Sequence, residues 1–167
     1  MKTFGLAGWS GSGKTTLVTR LLPALTERGL IVSTVKHAHH RFDVDQPGKD
    51  SWLHRQAGAH EVLVSSANRW ALMHENRGAP EPGLDVLLSQ MSPVDLVIVE
   101  GFKSHPHPKL EVHRVSLDKN LLCHDDRAIV AVASDSDLTD LPVPLLALDD
   151  TAAIADFIIA HCGLKAR

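Results

Sequence analysis

The sequence predicts an α/β fold in which helices flank a mostly parallel sheet and an antiparallel hairpin is added. Three observations lead to this prediction. A glycine-rich segment joins an apolar run to a helix-period run near the N-terminus, several later runs are apolar and β-branched enough to be buried strands, and two mid-chain runs flank a short polar turn. With 167 residues, of which 44% are hydrophobic and 22% charged, the chain is expected to form one domain, residues 1–167.

Cysteine content and charge narrow the class of protein. Cys123 and Cys162 lie far apart without metal-ligand spacing, so neither a disulfide framework nor a zinc site is predicted. The sequence lacks a signal-peptide pattern and an apolar run of about 18 residues, so we expect a cytoplasmic protein that is neither secreted nor membrane-spanning. A net charge of −3 argues against broad nucleic-acid binding.

Residues 8–15 contain the pattern Gly-x-x-x-x-Gly-Lys-Thr, between an apolar run over residues 4–7 and a helix predicted from Lys14. Glycines allow backbone amides to turn toward a phosphate chain, and the N-terminus of the following helix favours anions. We expect Lys14 to reach the terminal phosphates and the Thr15 hydroxyl to ligate Mg2+. The pattern and its context predict a P-loop NTPase-like domain.

The next strand is predicted over residues 30–36 and makes a βαβ unit with the first strand. Ligands bind beyond the carboxyl ends of parallel strands, so the polar segment 37–50 is expected to face the nucleotide. Asp43 and Asp45 are its best-placed acids, Asp43 as a candidate magnesium ligand and Asp45 as a candidate catalytic residue that orients attacking water.

The middle of the chain predicts a helix over residues 51–58 and then an antiparallel hairpin formed by residues 62–66 and 70–75. A loop rich in glycine and proline follows, and a further helix is predicted from Leu84.

Residues 94–101 form the clearest buried strand, which ends in Glu100. In P-loop proteins an acid at this position holds magnesium through a water or assists attack by water, so Glu100 is both a metal and a catalytic candidate. The alternative is a strand-end acid that only faces solvent.

The last third of the chain contains three further predicted strands and a helix. Alternation over residues 109–115 predicts an edge or half-exposed strand. Apolar runs predict a buried strand over residues 128–133 and a short strand over residues 145–148. A helix is predicted over residues 150–161.

The sequence lacks the Asn-Lys-x-Asp motif whose aspartate binds guanine in many GTPases. Asp135 is the substitute candidate because it directly follows a buried strand and its two acceptor oxygens match the two N–H donors of guanine. Asp137 is the second choice, and both residues could instead be simple turn formers.

Several segments together resemble the MobB family of molybdopterin-guanine dinucleotide biosynthesis adaptors. The matching stretches are residues 8–16, 35–37 with His39 and His40, 43–45, 47–51, 69–73, 99–103 and 130–135.

The resemblance implies a GTP-binding protein with weak hydrolysis, a homodimer, that works with the guanylyltransferase attaching GMP to molybdopterin. It leaves molybdopterin or molybdoenzymes open as further partners. It also implies that Glu100 belongs to the nucleotide site and that residues 43–50 face nucleotide or the second subunit. The phosphate-binding residues that it implies are Gly11, Ser12, Gly13, Lys14, Thr15 and Thr16.

Two alternative functions follow from other features of the chain. A small-metabolite kinase could use Asp43 or Asp45 as a base toward an acceptor hydroxyl. A metallochaperone GTPase is suggested by His37, His39 and His40, whose spacing could bind a transition metal. A role at the nucleotide or at an interface is favoured over metal binding, and a solvated surface is the remaining alternative.

Overall fold

A six-stranded sheet in which every pairing is parallel forms the centre of the fold in the computed structural model. Because the strands are parallel, their carboxyl ends lie along one edge, where ligands of such sheets bind. The sheet confirms the predicted fold class. In spatial order its strands are β2 (Val32–Lys36), β5 (Leu96–Glu100), β1 (Lys2–Ala7), β6 (Lys109–His113), β7 (Ile129–Ser134) and β8 (Leu145–Ala147).

The helices follow in chain order as α1 (Lys14–Thr26), α2 (Asp50–Gln56), α3 (Leu84–Ser89) and α4 (Thr151–Cys162). Helices α1 and α4 pack against each other and share one hydrophobic core with the sheet. In α1, Leu17, Leu21 and Leu25 are buried at four-residue spacing, as the sequence pattern predicts. The core that they enter also contains Phe4, Leu6, Ile98, Leu110, Ile154 and Ile158.

A two-stranded antiparallel hairpin confirms the predicted addition to the parallel sheet. Its strands are β3 (Glu61–Ser65) and β4 (Trp70–His74). Helix α2 packs against β3.

Strand β6 is the element whose placement the sequence pattern predicts wrongly. It lies between β1 and β7 rather than at an edge, and all five of its residues are buried. Two of its polar side chains, those of Lys109 and Glu111, have partners that make burial possible. Lys109 Nζ lies 3.0 Å from Asp126 Oδ2, and the Glu111 carboxylate accepts hydrogen bonds from two backbone amides, those of residues 122 and 123.

The structure describes residues 1–38 and 42–165, which divide into two units. The larger unit contains Met1–His37 and the chain from Met91 onward, and the smaller unit is Ala38–Gln90. One domain over residues 1–167 stays a prediction. Within the described ranges, no helix combines the length and the apolar character needed to cross a membrane.

Candidate nucleotide-binding site

The glycine-rich loop connects β1 to α1 at the carboxyl edge of the sheet. Gly8 has a φ of 136°, and a Cβ on it would lie 2.4 Å from the carbonyl oxygen of Val112, so a side chain here would collide with β6. Gly13, at φ 99°, precedes α1, and no side chain in the described part of the chain caps this helix. The first amides of α1 are therefore left for a ligand, and a helix N-terminus attracts anions.

Lys14 opens α1 and folds back over the loop. Its Nζ donates hydrogen bonds to the carbonyl oxygens of Gly8, at 2.9 Å, and Trp9, at 2.8 Å. These two bonds hold the ammonium group against the loop, where the phosphates of a nucleotide are expected.

Positive charge converges on this loop from three lysines. Burial is the main cause of a lowered Lys14 pKa, the Glu100 carboxylate partly offsets it, and Lys103 and then Lys36 add to the lowering. A polyphosphate beside the three ammonium groups would relieve this repulsion. The local electrostatics therefore favour an anionic ligand.

Thr15 and Glu100 bring a hydroxyl and a carboxylate together beside the loop. The Thr15 Oγ1 donates toward Glu100 Oε1 at 3.3 Å and Oε2 at 3.4 Å. Glu100 ends β5, opposite Lys36 of β2 in the strand register, and the Lys36 Nζ lies 3.5 Å from Glu100 Oε2. Oxygen donors of this kind are the ligands that Mg2+ prefers, so the pair fits this ion.

Gly101 lets the chain turn immediately after β5. Its φ is 105°, and a Cβ on it would lie 2.4 Å from the Cβ of His37. The His37 ring packs on Phe102 with 4.8 Å between ring centroids. His37 is thus located at the carboxyl end of β2, whereas His39 and His40 lie outside the described residues.

A cavity of about 480 Å³ opens at the carboxyl ends of β7 and β8, and Arg114, Asp135 and Asp137 contribute to its lining. Asp135 Oδ2 accepts a hydrogen bond from Arg114 NH1 at 3.0 Å. The Arg114 Nε donates to the carbonyl oxygen of Ser12 in the glycine-rich loop at 3.1 Å. Asp135, the candidate base-binding residue, is therefore connected to the loop through one side chain.

In the smaller unit, Asp43 and Asp45 both bind Arg55 of α2. The Arg55 NH2 donates to both Asp43 oxygens at 2.9 Å, and its Nε donates to Asp45 Oδ2 at 3.1 Å. Asp45 Oδ1 also accepts from Ser51 Oγ at 2.7 Å. The bond from Arg55 to Asp43, and those from Ser51 and then Arg55 to Asp45, lower the pKa of the two carboxyls. The metal and catalytic roles of Asp43 and Asp45 stay predictions.

The sequence predicts no individual site role for Arg114 or Lys36, although both lie among the site residues. Lys36 ends a strand on the ligand side of the sheet, and that position was the available signal. Arg114 follows β6, whose alternation predicts an edge or half-exposed strand, so its closeness to the loop had no signal in the sequence.

A parallel sheet, a glycine-rich loop leading into an uncapped helix, and a strand-end acid beside the first threonine of that helix define a P-loop nucleotide-binding protein. The family model of molybdopterin guanine dinucleotide synthesis protein B, MobB, matches residues 3–135. The chain belongs to the MobB family.

Curated relatives and solved structures agree with this assignment. The chain is 45% identical over 158 residues to the molybdopterin-guanine dinucleotide biosynthesis adapter protein of Escherichia coli (strain K12), a match covering 92% of this chain and 89% of that protein. It is 43% identical over 157 residues to the protein of the same name from Haemophilus influenzae, covering 92% and 85%. A crystal structure of molybdopterin-guanine biosynthesis protein B is similar with a TM-score of 0.73 and 29% identity, over 95% of this chain and 99% of that one.

Proposed function

We propose that this protein binds GTP with Mg2+ and acts as an adaptor for the guanylyltransferase that converts molybdopterin cofactor to its guanine dinucleotide form. The observation that carries the proposal is the P-loop, where an uncapped helix N-terminus and the Lys14 ammonium face the same space. The two relatives from Escherichia coli and Haemophilus influenzae are named as adapter proteins of this biosynthesis, which supports the adaptor role. A cytoplasmic location is part of the same proposal.

Phosphate binding is assigned in this proposal to residues 11–16. The amides at the start of α1 donate to phosphate oxygens, and Lys14 exchanges carbonyl partners in the loop for the terminal phosphates. Burial and the neighbouring lysines lower the Lys14 pKa because they disfavour its charged ammonium form. The exchange is favourable because the negative charge of a phosphate stabilises that ammonium group.

Magnesium binding is assigned to Thr15 and Glu100, with Asp43 as a further ligand. When bound, Mg2+ supplies positive charge to the phosphate oxygens. The Thr15 hydroxyl and the Glu100 carboxylate already lie within 3.4 Å of each other, which supports their acting together. The proposed contribution of Asp43 requires its carboxylate to share or leave Arg55.

Slow GTP hydrolysis is also part of the proposal. Asp45 is the residue proposed to orient the attacking water, and its carboxylate is engaged by Ser51 and Arg55. These bonds fix its orientation but compete with water for its oxygens. A protein that holds GTP and turns it over slowly suits an adaptor better than a rapid hydrolase.

Guanine recognition is proposed at the cavity beside β7 and β8, with Asp135 as the base-binding acid and Asp137 as the second choice. A carboxylate can accept from both guanine N–H donors, whereas the edge of adenine offers a different pattern. The cavity joins the P-loop side of the sheet through Arg114, which supports a continuous nucleotide site.

A homodimer is proposed on the evidence of the hairpin. Leu63 and Leu72 are register partners, and Trp70 lies on the same face as Leu72 because side chains alternate along a strand. All three are exposed, Trp70 by 65%. An isolated two-stranded hairpin is marginally stable in water, so covering this apolar face by a second copy would stabilise it.

The test is nucleotide binding by calorimetry with Mg2+, in the presence and absence of the molybdopterin guanylyltransferase. We expect GTP to bind at least about tenfold more tightly than ATP and more tightly still when the partner is present. Linkage requires GTP to strengthen partner binding by the same factor, which a second titration checks. Equal binding of GTP and ATP, or no complex with the partner, would contradict the proposal.

A further inference from the structure

Arg114 contacts two parts of the nucleotide site with one guanidinium group. Its Nε donates to the Ser12 carbonyl oxygen of the P-loop at 3.1 Å, and its NH1 donates to Asp135 Oδ2 at 3.0 Å. The Nε and NH2 atoms also lie 3.5 Å from the position that a Cβ on Gly13 would occupy. The planar group therefore spans the distance between the phosphate-binding loop and the strand-end acid.

The strand register explains why these groups meet. His113 of β6 pairs with Ser134 of β7, so Arg114 and Asp135 leave neighbouring strands at the same level of the sheet. The backbone amide of Val115 adds a 3.4 Å hydrogen bond to Asp135 Oδ1. Each oxygen of the Asp135 carboxylate therefore accepts a hydrogen bond from a residue that directly follows β6.

Stability alone does not account for this arrangement. The side chains of Arg114 and Asp135 are 39% and 32% exposed, and water screens an ion pair of that exposure enough to leave a small contribution to folding. The guanidinium does fix the relative positions of the Ser12 carbonyl oxygen and the Asp135 carboxylate, because its donors are held in one plane. A lysine carries all its donors on one freely rotating nitrogen, so it lacks the two separate, rigidly held donor atoms that Nε and NH1 provide.

We propose that Arg114 is a positioning residue that fixes Asp135 relative to the P-loop, so that base and phosphates are bound as one preorganised site. This inference rests on the proposed binding of guanine nucleotides. Guanine needs a carboxylate whose two oxygens point at its N–H donors, and the phosphates need the loop in its anion-binding conformation. Arg114 contributes to both conditions before the ligand arrives, which reduces the ordering required on binding.

The test compares GDP and ADP affinities of purified full-length variants by competition against a fluorescent nucleotide. ADP affinity reports the phosphate half of the site, and the ratio of ADP to GDP dissociation constants reports base recognition. The variants are Arg114→Met, Arg114→Lys, Asp135→Asn and the pair Arg114→Met with Asp135→Asn. Arg127→Met is the matched control, since Arg127 is an exposed arginine of the same unit.

We expect Arg114→Met to lower the ratio about tenfold and to weaken ADP several-fold, because it removes contacts to both halves of the site. Asp135→Asn should lower the ratio and leave ADP binding unchanged. The double variant should have the same ratio of ADP to GDP dissociation constants as Asp135→Asn, because Arg114 acts on the base through Asp135. Arg127→Met should match the wild type.

Thermal unfolding is measured for each variant to separate positioning from folding. Should Arg114→Met fail to fold, Arg114→Lys replaces it, and the same loss of the ratio is expected because lysine lacks the separate, rigidly held Nε and NH1 donors. A GDP preference that is lost in Asp135→Asn but survives in Arg114→Met and Arg114→Lys overturns the inference alone. A wild-type protein that binds GDP and ADP equally contradicts the proposed guanine recognition and removes the basis of the inference with it.

Discussion

Lys14 carries the charge that is closest to the expected phosphates, and its removal is the most direct test of the P-loop. We expect Lys14→Ala to weaken GTP binding about a hundredfold, the scale of a lost charge-assisted hydrogen bond. The thermal midpoint should be unchanged, because the two hydrogen bonds that the Nζ donates go to carbonyl oxygens of Gly8 and Trp9, which lie in the loop and outside the hydrophobic core. Calorimetry and thermal unfolding check both points, with Lys165→Ala as the control. Unchanged affinity would remove Lys14 from the site.

Glu100 is predicted to act through magnesium rather than through the nucleotide. Glu100→Gln keeps the size of the side chain but weakens it as a metal ligand. We expect Mg2+-dependent GTP hydrolysis to fall at least about tenfold, while GTP affinity measured in EDTA changes by less than about threefold. A Mg2+ titration of GTP affinity supplies a readout independent of turnover and should move to higher Mg2+ concentration. Wild-type rates and an unmoved titration would exclude Glu100 from the metal site.

The residues of the site were predictable to different degrees. Lys14, Thr15 and the loop glycines follow from a local pattern in which neighbours in sequence are neighbours in space, and Glu100 follows from the end of a clear apolar strand. Arg114 contacts Ser12, about a hundred residues away, and only the pairing of β6 with β1 and β7 brings the two together. A single sequence does not encode that neighbourhood in any local pattern.

Strand β6 shows why alternation can mislead at the level of an element. In this strand apolar residues alternate with Lys109, Glu111 and His113, and such a pattern is typical of a strand with one solvent-exposed face. The structure buries the polar face as well, since Lys109 reaches Asp126 and Glu111 receives backbone amides from the turn at Leu122–His124. The partners come from a later segment whose position depends on the tertiary fold. The parallel strands with uninterrupted apolar runs, by contrast, were predicted correctly.

Glu111 anchors that turn and offers a test of the buried polar face. Its carboxylate is fully buried and accepts from the amides of Leu122 and Cys123 at 2.8 to 3.0 Å. Glu111→Gln places an NH2 donor against these amides, so we expect a loss of about 2 to 3 kcal/mol in the free energy of unfolding. Urea denaturation measures it, and Glu27→Gln at an exposed position is the control. A loss no larger than that of the control would show that the buried charge is dispensable.

At the scale of the molecule, the class of fold follows from composition and periodicity, but the strand order does not. The βαβ unit of β1, α1 and β2 was predicted, yet β5 lies between the two strands. Any order that buries these apolar strands on both faces satisfies the same sequence pattern. The position of Glu100 between Lys36 and the P-loop depends on this insertion, because β5 is the shared neighbour of β1 and β2.

The proposed dimer is tested on the apolar face of the hairpin. Leu72→Glu places a charge opposite Leu63, where a second copy would have to desolvate it, so we expect the variant to be monomeric at concentrations at which the wild type is dimeric. Sedimentation equilibrium measures the mass of each. Ile31→Glu is the control, because Ile31 is 58% exposed in the larger unit and outside the hairpin. The GTP affinity of the Leu72→Glu monomer then separates two forms of the proposal: wild-type affinity means that each copy holds a complete nucleotide site, and a large loss means that the second copy contributes to it. A wild-type monomer at every concentration, or a dimer that persists in Leu72→Glu, would contradict assembly through this face.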